Sequence, residues 1–161
     1  MLRVLSSLAL ALVLLAPGMS FATPTDDASA LLTKLADAFN KGDAKAAAAL
    51  FTEDTDLISP TGVQGKGRAG AEKVIHGDLT TILKGATNRF SVDNARELAS
   101  NVWLVDASHE AQNMTGPDGK KTTGKLHVVF VMVKGKDGKL AIAAARPYMF
   151  MPPPPAASAR R

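Results

Sequence analysis

Three histidines, and a few carboxylates set in apolar surroundings, are the side chains here with the right types for acid–base or metal chemistry; the 161 residues contain no cysteine. His109 falls in a period-two run with Trp103, Val105, Ala107 and Ala111, one face of a strand. If that face lines a cavity, His109 is the best ligand-contact candidate in the chain, with Trp103 on the same face; the alternative, equally weighted, is a sheet-end histidine beyond the core. Asp56 and Asp106 sit among apolar strand residues. A carboxyl in such a setting has its pKa raised and suits proton transfer; the plainer alternative is a strand-edge acid facing water. Asp56, Asp106 and His109 are therefore the catalytic candidates. His76 lies at the edge of a helical apolar stripe, where a solvated surface histidine is preferred over a pocket acid or base. His127 sits in a nearly all-apolar run and reads as an uncharged core or interface residue. Arg146 and Tyr148, alternating with Ile142 and Ala144, can orient an anionic or carbonyl group at a cavity mouth, or form a charged strand end.

No metal or cofactor site is expected. The histidines are far apart, with no short-spaced ligand pair and no cysteine. Met149-Phe150-Met151 has soft copper-ligand types, but methionine is more commonly flexible core filler. There is no glycine-rich phosphate loop and no G-x-S-x-G elbow.

The elements that must position these groups change period midway. Pro24-Thr25-Asp26-Asp27 opens a helix with a capping hydroxyl and first-turn acids. Ala28, Leu31, Leu32, Leu35, Ala36 and Phe39 form its apolar stripe, and Lys41-Gly42 stops it. Asp43 caps a second helix over Ala44 to Phe51. An acidic turn, a short strand, a Pro60/Gly62 turn and a second short strand follow. A third helix starts near Arg68, carries Ala71, Val74, Ile75, Leu79, Ile82 and Leu83 on one face, and ends at Gly85. From Asn88 the period is two. Strands are expected over Asn88 to Ala99, Asn101 to Met114, Leu126 to Val133 and Leu140 to Arg146, with Asp-Gly hairpin turns at 118–119 and 137–138. Helices followed by strands give an α+β fold.

The ends of the chain read differently. Arg3, the apolar run Leu8 to Ala16, Pro17-Gly18 and Ser20-Phe21-Ala22 have the order of a secretory signal peptide cleaved after Ala22. The run is shorter than the roughly 20 residues that cross a bilayer, and no later run is longer, so no membrane insertion is expected after cleavage. Export to the periplasm or beyond is the expected localisation. Of 161 residues, 139 remain after the 22-residue leader, with 18 Lys and Arg against 15 Asp and Glu, a net charge of +3. The basic residues are scattered rather than clustered, so no nucleic-acid partner is expected. Residues 151–161, Pro- and Ala-rich, read as a solvated tail, which leaves one domain over 23–150.

Four short motifs carry a family resemblance: Phe39-Asn40-Lys41-Gly42-Asp43, Leu50-Phe51-Thr52-Glu53-Asp54-Thr55-Asp56, Pro60-Thr61-Gly62 and Gly65-Lys66-Gly67-Arg68-Ala69-Gly70-Ala71. In this order they resemble the SnoaL-like, ketosteroid isomerase-like group of the nuclear transport factor 2-like superfamily, including its SgcJ/EcaC-type branch. The resemblance covers about residues 26–150. It implies a cone-like curved antiparallel sheet packed on three N-terminal helices, a cystatin-like α+β roll, with a pocket inside and frequent homodimers. It also implies a departure. The steroid isomerases carry an Asp base directly before the P-x-G turn, where this chain has Ser59, and a Tyr donor where it has Leu35. A serine hydroxyl is no base near neutrality, so the known isomerisation route is not expected.

The ligand-contact set is therefore Ser59, His76, Trp103, His109, Arg146 and Tyr148. The expected function is an exported protein that binds a small apolar or carbonyl-bearing molecule. Two alternatives are kept: an isomerase- or dehydratase-type enzyme using acid–base chemistry in the same pocket, and a non-catalytic dimeric interaction module.

Overall fold

Thr23 accepts a hydrogen bond from the Asp26 amide through its side chain, and the Asp26 carboxylate accepts from the Thr23 amide at 3.0 Å. This reciprocal cap, with Pro24 at the first helical position, starts α1 (Pro24–Asn40). The cap is Thr23, two residues before the hydroxyl expected from sequence. A computed structural model describes residues 23–116 and 118–150. The expected leader and the Pro-rich tail lie outside the described residues.

Leu31, Leu32 and Leu35 of α1 are buried, each contributing about 1.5–3 kcal/mol by leaving water. Gly42, at φ +67°, turns the chain, and the Asp43 side chain caps α2 (Ala44–Ala48). That helix stops short of its expected end, and Phe51 already opens β1 (Phe51–Ile58). The acidic run Glu53-Asp54 is an exposed part of this strand rather than a turn. The Ser59–Val63 turn leads into β2 (Gln64–Lys66) and α3 (Gly67–Thr80). The α3 helix ends before Ile82 and Leu83. The hydroxyls of Thr80 and Thr81 donate back to the carbonyls of His76 and Gly77 and compete for the last turn.

Four strands follow: β3 (Thr87–Ala99), β4 (Val102–Thr115), β5 (Lys121–Lys134) and β6 (Leu140–Tyr148). They make one curved, unclosed six-stranded sheet in the order β2-β1-β6-β5-β4-β3. The expected antiparallel sheet is corrected at one place: β1 runs parallel to β6, because the chain leaves β1 through α3 and returns three hairpins later. Val105, Ala107, Val128, Phe130, Met132, Ile142 and Ala145 face the helices and form the core with them.

Two local irregularities decide which way side chains point. The β5–β6 register shifts between Val131 and Met132, with Val131 opposite Ala144 and Met132 opposite Ile142. Ala143 is thus an extra residue on β6. A bulge flips every residue beyond it to the other face. Ile142 and Ala145 are therefore buried inward, while Ala144 and Arg146 point outward.

Candidate functional site

The helices do not fill the concave side of the sheet. Between α1, α3, the segment after α3 and the strands lies a cavity of about 450 Å³. Its wall is mainly apolar: Leu35 and Phe39 from α1, Ile75 from α3, Phe90 from β3, Val128 and Phe130 from β5. Against this surface the polar groups stand out. Ser59, Asp78, His109, Thr115 and Lys125 reach the lining.

His109 is only 6% exposed. Its ring stacks on Phe90, directly opposite on β3, with centroids 4.2 Å apart and planes at 9°. Its Nε2 lies 3.0 Å from Asn88 Oδ1. The proton position follows from what lies behind. Asn40 Oδ1 accepts the Asn88 amide at 2.6 Å, and Asn40 Nδ2 donates to the Asn88 carbonyl at 3.0 Å, which fixes the Asn40 side chain. Asn88 Nδ2 faces two acceptors, Ala86 O at 3.3 Å and Asn40 Oδ1 at 3.4 Å. Asn88 Oδ1 is left for the imidazole, so Nε2 carries the hydrogen and donates it. Nδ1 keeps a lone pair, and burial pushes the imidazole down to about 4, so the ring is neutral at physiological pH.

Asp78 sits on the cavity side of α3, and burial pushes its carboxyl up to about 6. No hydrogen bond or neighbouring charge acts against that rise. Sequence reading missed Asp78 although a signal was there. It stands three residues after Ile75 and four before Ile82, inside the apolar stripe, where a carboxylate breaks the pattern. Ser59 lines the cavity as expected and is 4% exposed, but its hydroxyl shares a 2.8 Å hydrogen bond with Thr61 and accepts from the Val63 amide at 3.2 Å. It serves the turn.

The remaining candidates do not line this cavity. Asp56 and Arg146 form an ion pair on the convex face at 2.6 Å, placed there by the β6 bulge. Asp106 is on the same convex face, opposite Val129. Asp56 and Asp106 therefore do not converge with His109. Tyr148 is exposed and packs on His127 at 5.5 Å between ring centroids and on Phe150 at 5.4 Å. His76 is exposed on α3, the surface position preferred from sequence. Trp103 shares the inward face with His109, but six residues, about 20 Å, down the strand. It borders a separate pocket of about 70 Å³ with Pro24, Asp27, Lys134 and Leu140, and its Nε1 is buried without a partner among the described residues.

No protein-family model and no curated protein matches the sequence. Solved structures do match in shape. The chain is similar to a domain of unknown function with a cystatin-like fold from Nostoc punctiforme, at TM-score 0.68 and 23% identity over 80% of this chain and 78% of that one. It is similar to a ketosteroid isomerase-like protein from Erwinia carotovora atroseptica, at TM-score 0.69 and 20% identity over 82% and 100% of the two chains. An NTF-2-like protein of unknown function from Shewanella oneidensis matches at TM-score 0.63 and 19% identity, over 78% and 98%. This is the cystatin-like, NTF-2-like fold. The expectation of a cone-like α+β roll is thereby met. Within the NTF-2-like fold, this cavity occupies the inside of the cone, with His109 and Asp78 among the polar groups of its wall.

Proposed function

We propose that this NTF-2-like domain holds one small, mainly apolar molecule in the cavity between α1, α3 and the concave sheet. The observation that carries the reading is the cavity itself: about 450 Å³, walled by aromatic and aliphatic side chains, with a few polar groups reaching in. The test is native mass spectrometry of protein purified from its own cell compartment, followed by denaturation. A released small molecule is the expected result. A bare protein that also fails to take up naphthalene overturns the reading.

A second reading is an isomerase- or dehydratase-type proton transfer in the same cavity. Asp78, an ionisable carboxyl in apolar surroundings with neutral His109 in the same wall, is the observation in its favour. Its readout is exchange of α-hydrogens of a cyclic ketone in deuterated water. Loss of that exchange in D78N supports it, and no exchange by the native protein removes it.

Export and self-association belong to the same proposal. The reciprocal cap at Thr23 supports cleavage after Ala22, because the helix then begins with the first residue of the processed chain. Mass spectrometry of exported protein should find Thr23 first. On the convex face, Leu104, Val129, Val131 and Ala144 lie side by side and half-buried, an apolar strip that supports packing of a second copy. Light scattering should give a dimer that V131D converts to monomer; a concentration-independent monomer rules it out.

A further inference from the structure

The polar groups of the cavity wall are unevenly matched with the rest of the protein. Ser59 is bonded to Thr61 and Val63. Thr115 Oγ1 accepts from Lys121 at 3.1 Å. His109 has given its only hydrogen to Asn88. Lys125 is exposed at the rim. Thr115 and the Ser59–Thr61 pair each keep one hydroxyl hydrogen; among the described residues, the side-chain groups of the wall that keep accepting capacity alone are the Asp78 carboxylate and the lone pair on His109 Nδ1. Both accept hydrogen bonds and neither donates one when Asp78 is ionised. A ligand whose polar end is a bare carbonyl gains nothing from these two acceptors and leaves the Asp78 carboxylate without a partner. A ligand that brings a donor satisfies it, and one that brings a cation also neutralises a carboxylate otherwise alone in apolar surroundings.

We propose that Asp78 is the ligand-reading residue of the cavity, and that the molecule it selects is a hydrophobic amine, held with its ammonium on the Asp78 carboxylate. The position of the carboxyl on α3, between Ile75 on the same helix and Ile82 just beyond its end, sets the apolar body of the amine against those side chains and Phe90 across the cavity. His109 Nδ1 is the second acceptor available to a further N–H or O–H of the same molecule. The proposal rests on the cavity being a binding site, as argued above, and specifies what enters it.

The test uses one skeleton with four polar ends. Naphthylmethylamine, naphthylmethanol, naphthaldehyde and naphthoate, with naphthalene as the unsubstituted probe, are titrated calorimetrically at neutral pH into the native protein and into D78N and D78A. The expected order is amine, alcohol, aldehyde, carboxylate, with the amine about tenfold or more tighter than the aldehyde. Both variants should lose that margin while still taking up naphthalene, which also shows that they fold. Equal affinity for amine and aldehyde, or a margin that survives both substitutions, overturns the assignment to Asp78. Tightest binding by naphthoate overturns it in favour of Lys125 at the rim. Failure of every probe, naphthalene included, instead removes the binding-site reading on which the proposal stands.

Discussion

His109 Nε2 donates to Asn88 Oδ1 across 3.0 Å, and the direction of that bond is set by Asn40, a residue on a different element altogether. The chain from Asn40 through Asn88 to His109 ties the end of α1 to the inner face of β3 and β4. It leaves the imidazole neutral, with one defined tautomer.

Replacing Asn88 by Asp should weaken that state. A carboxylate beside Nε2 favours the imidazolium against the burial that remains, so His109 should rise from about 4 toward its ordinary 6.5. An NMR titration of the ring nitrogens in N88D measures the change directly, and the native spectrum should show Nε2–H alone across neutral pH. A native ring protonated on Nδ1 contradicts the network.

The two buried titrating groups should act on stability in opposite senses. Asp78 holds its proton more tightly in the folded state, so its contribution is full below its ordinary 3.8 and is lost as pH rises through about 6. His109 holds its proton less tightly when folded, so its contribution is full above 6.5 and is lost as pH falls through about 4. Between about 4 and 6 the slopes oppose each other. The Asp78 share is the smaller, because its carboxyl is partly exposed and water screens it. D78N should therefore lose stability more steeply on acidification, by up to about 1.4 kcal/mol per pH unit. Urea midpoints at a series of pH values decide this; parallel curves for the two proteins refute it.

Two glycines on neighbouring turns of the sequence should respond oppositely to alanine. A Cβ on Gly65 would lie 2.5 Å from the Gly70 carbonyl oxygen and 2.9 Å from the Ala71 nitrogen, both backbone atoms of α3. G65A should cost about 2–3 kcal/mol, because β2 and α3 must separate. A Cβ on Gly77, within α3, meets nothing within 4 Å, and G77A should add about 0.5–1 kcal/mol. Thermal or urea unfolding of both variants reports the contrast, and a neutral G65A would show that the approach is looser than these distances.

Arg146 and Asp56 should be silent in ligand binding. Their ion pair is on the convex face and partly exposed, so R146A should change stability by about 1 kcal/mol or less and naphthalene affinity by less than about twofold. A large loss of binding in R146A would place Arg146 at the cavity after all.

The local grammar of this chain was legible before any coordinates. The stripe of α1, the cap at Asp43, the hairpin turns at Asp118-Gly119 and Asp137-Gly138 and the inward row Val105, Ala107 and His109 are all consequences of spacing between near neighbours. So were the motif glycines, whose reason proves to be the backbone approach of Gly65 to Gly70. What spacing could not supply was any property that depends on an extra residue or a distant partner. One bulge at Ala143 turned Arg146 from an expected ligand contact into the partner of Asp56. Asn40 and Asn88, 48 positions apart, fixed the tautomer of His109. Asp78 became a cavity group only when the sheet curved over α3, because burial, and hence a carboxyl's pKa, is decided by what the whole fold excludes from water.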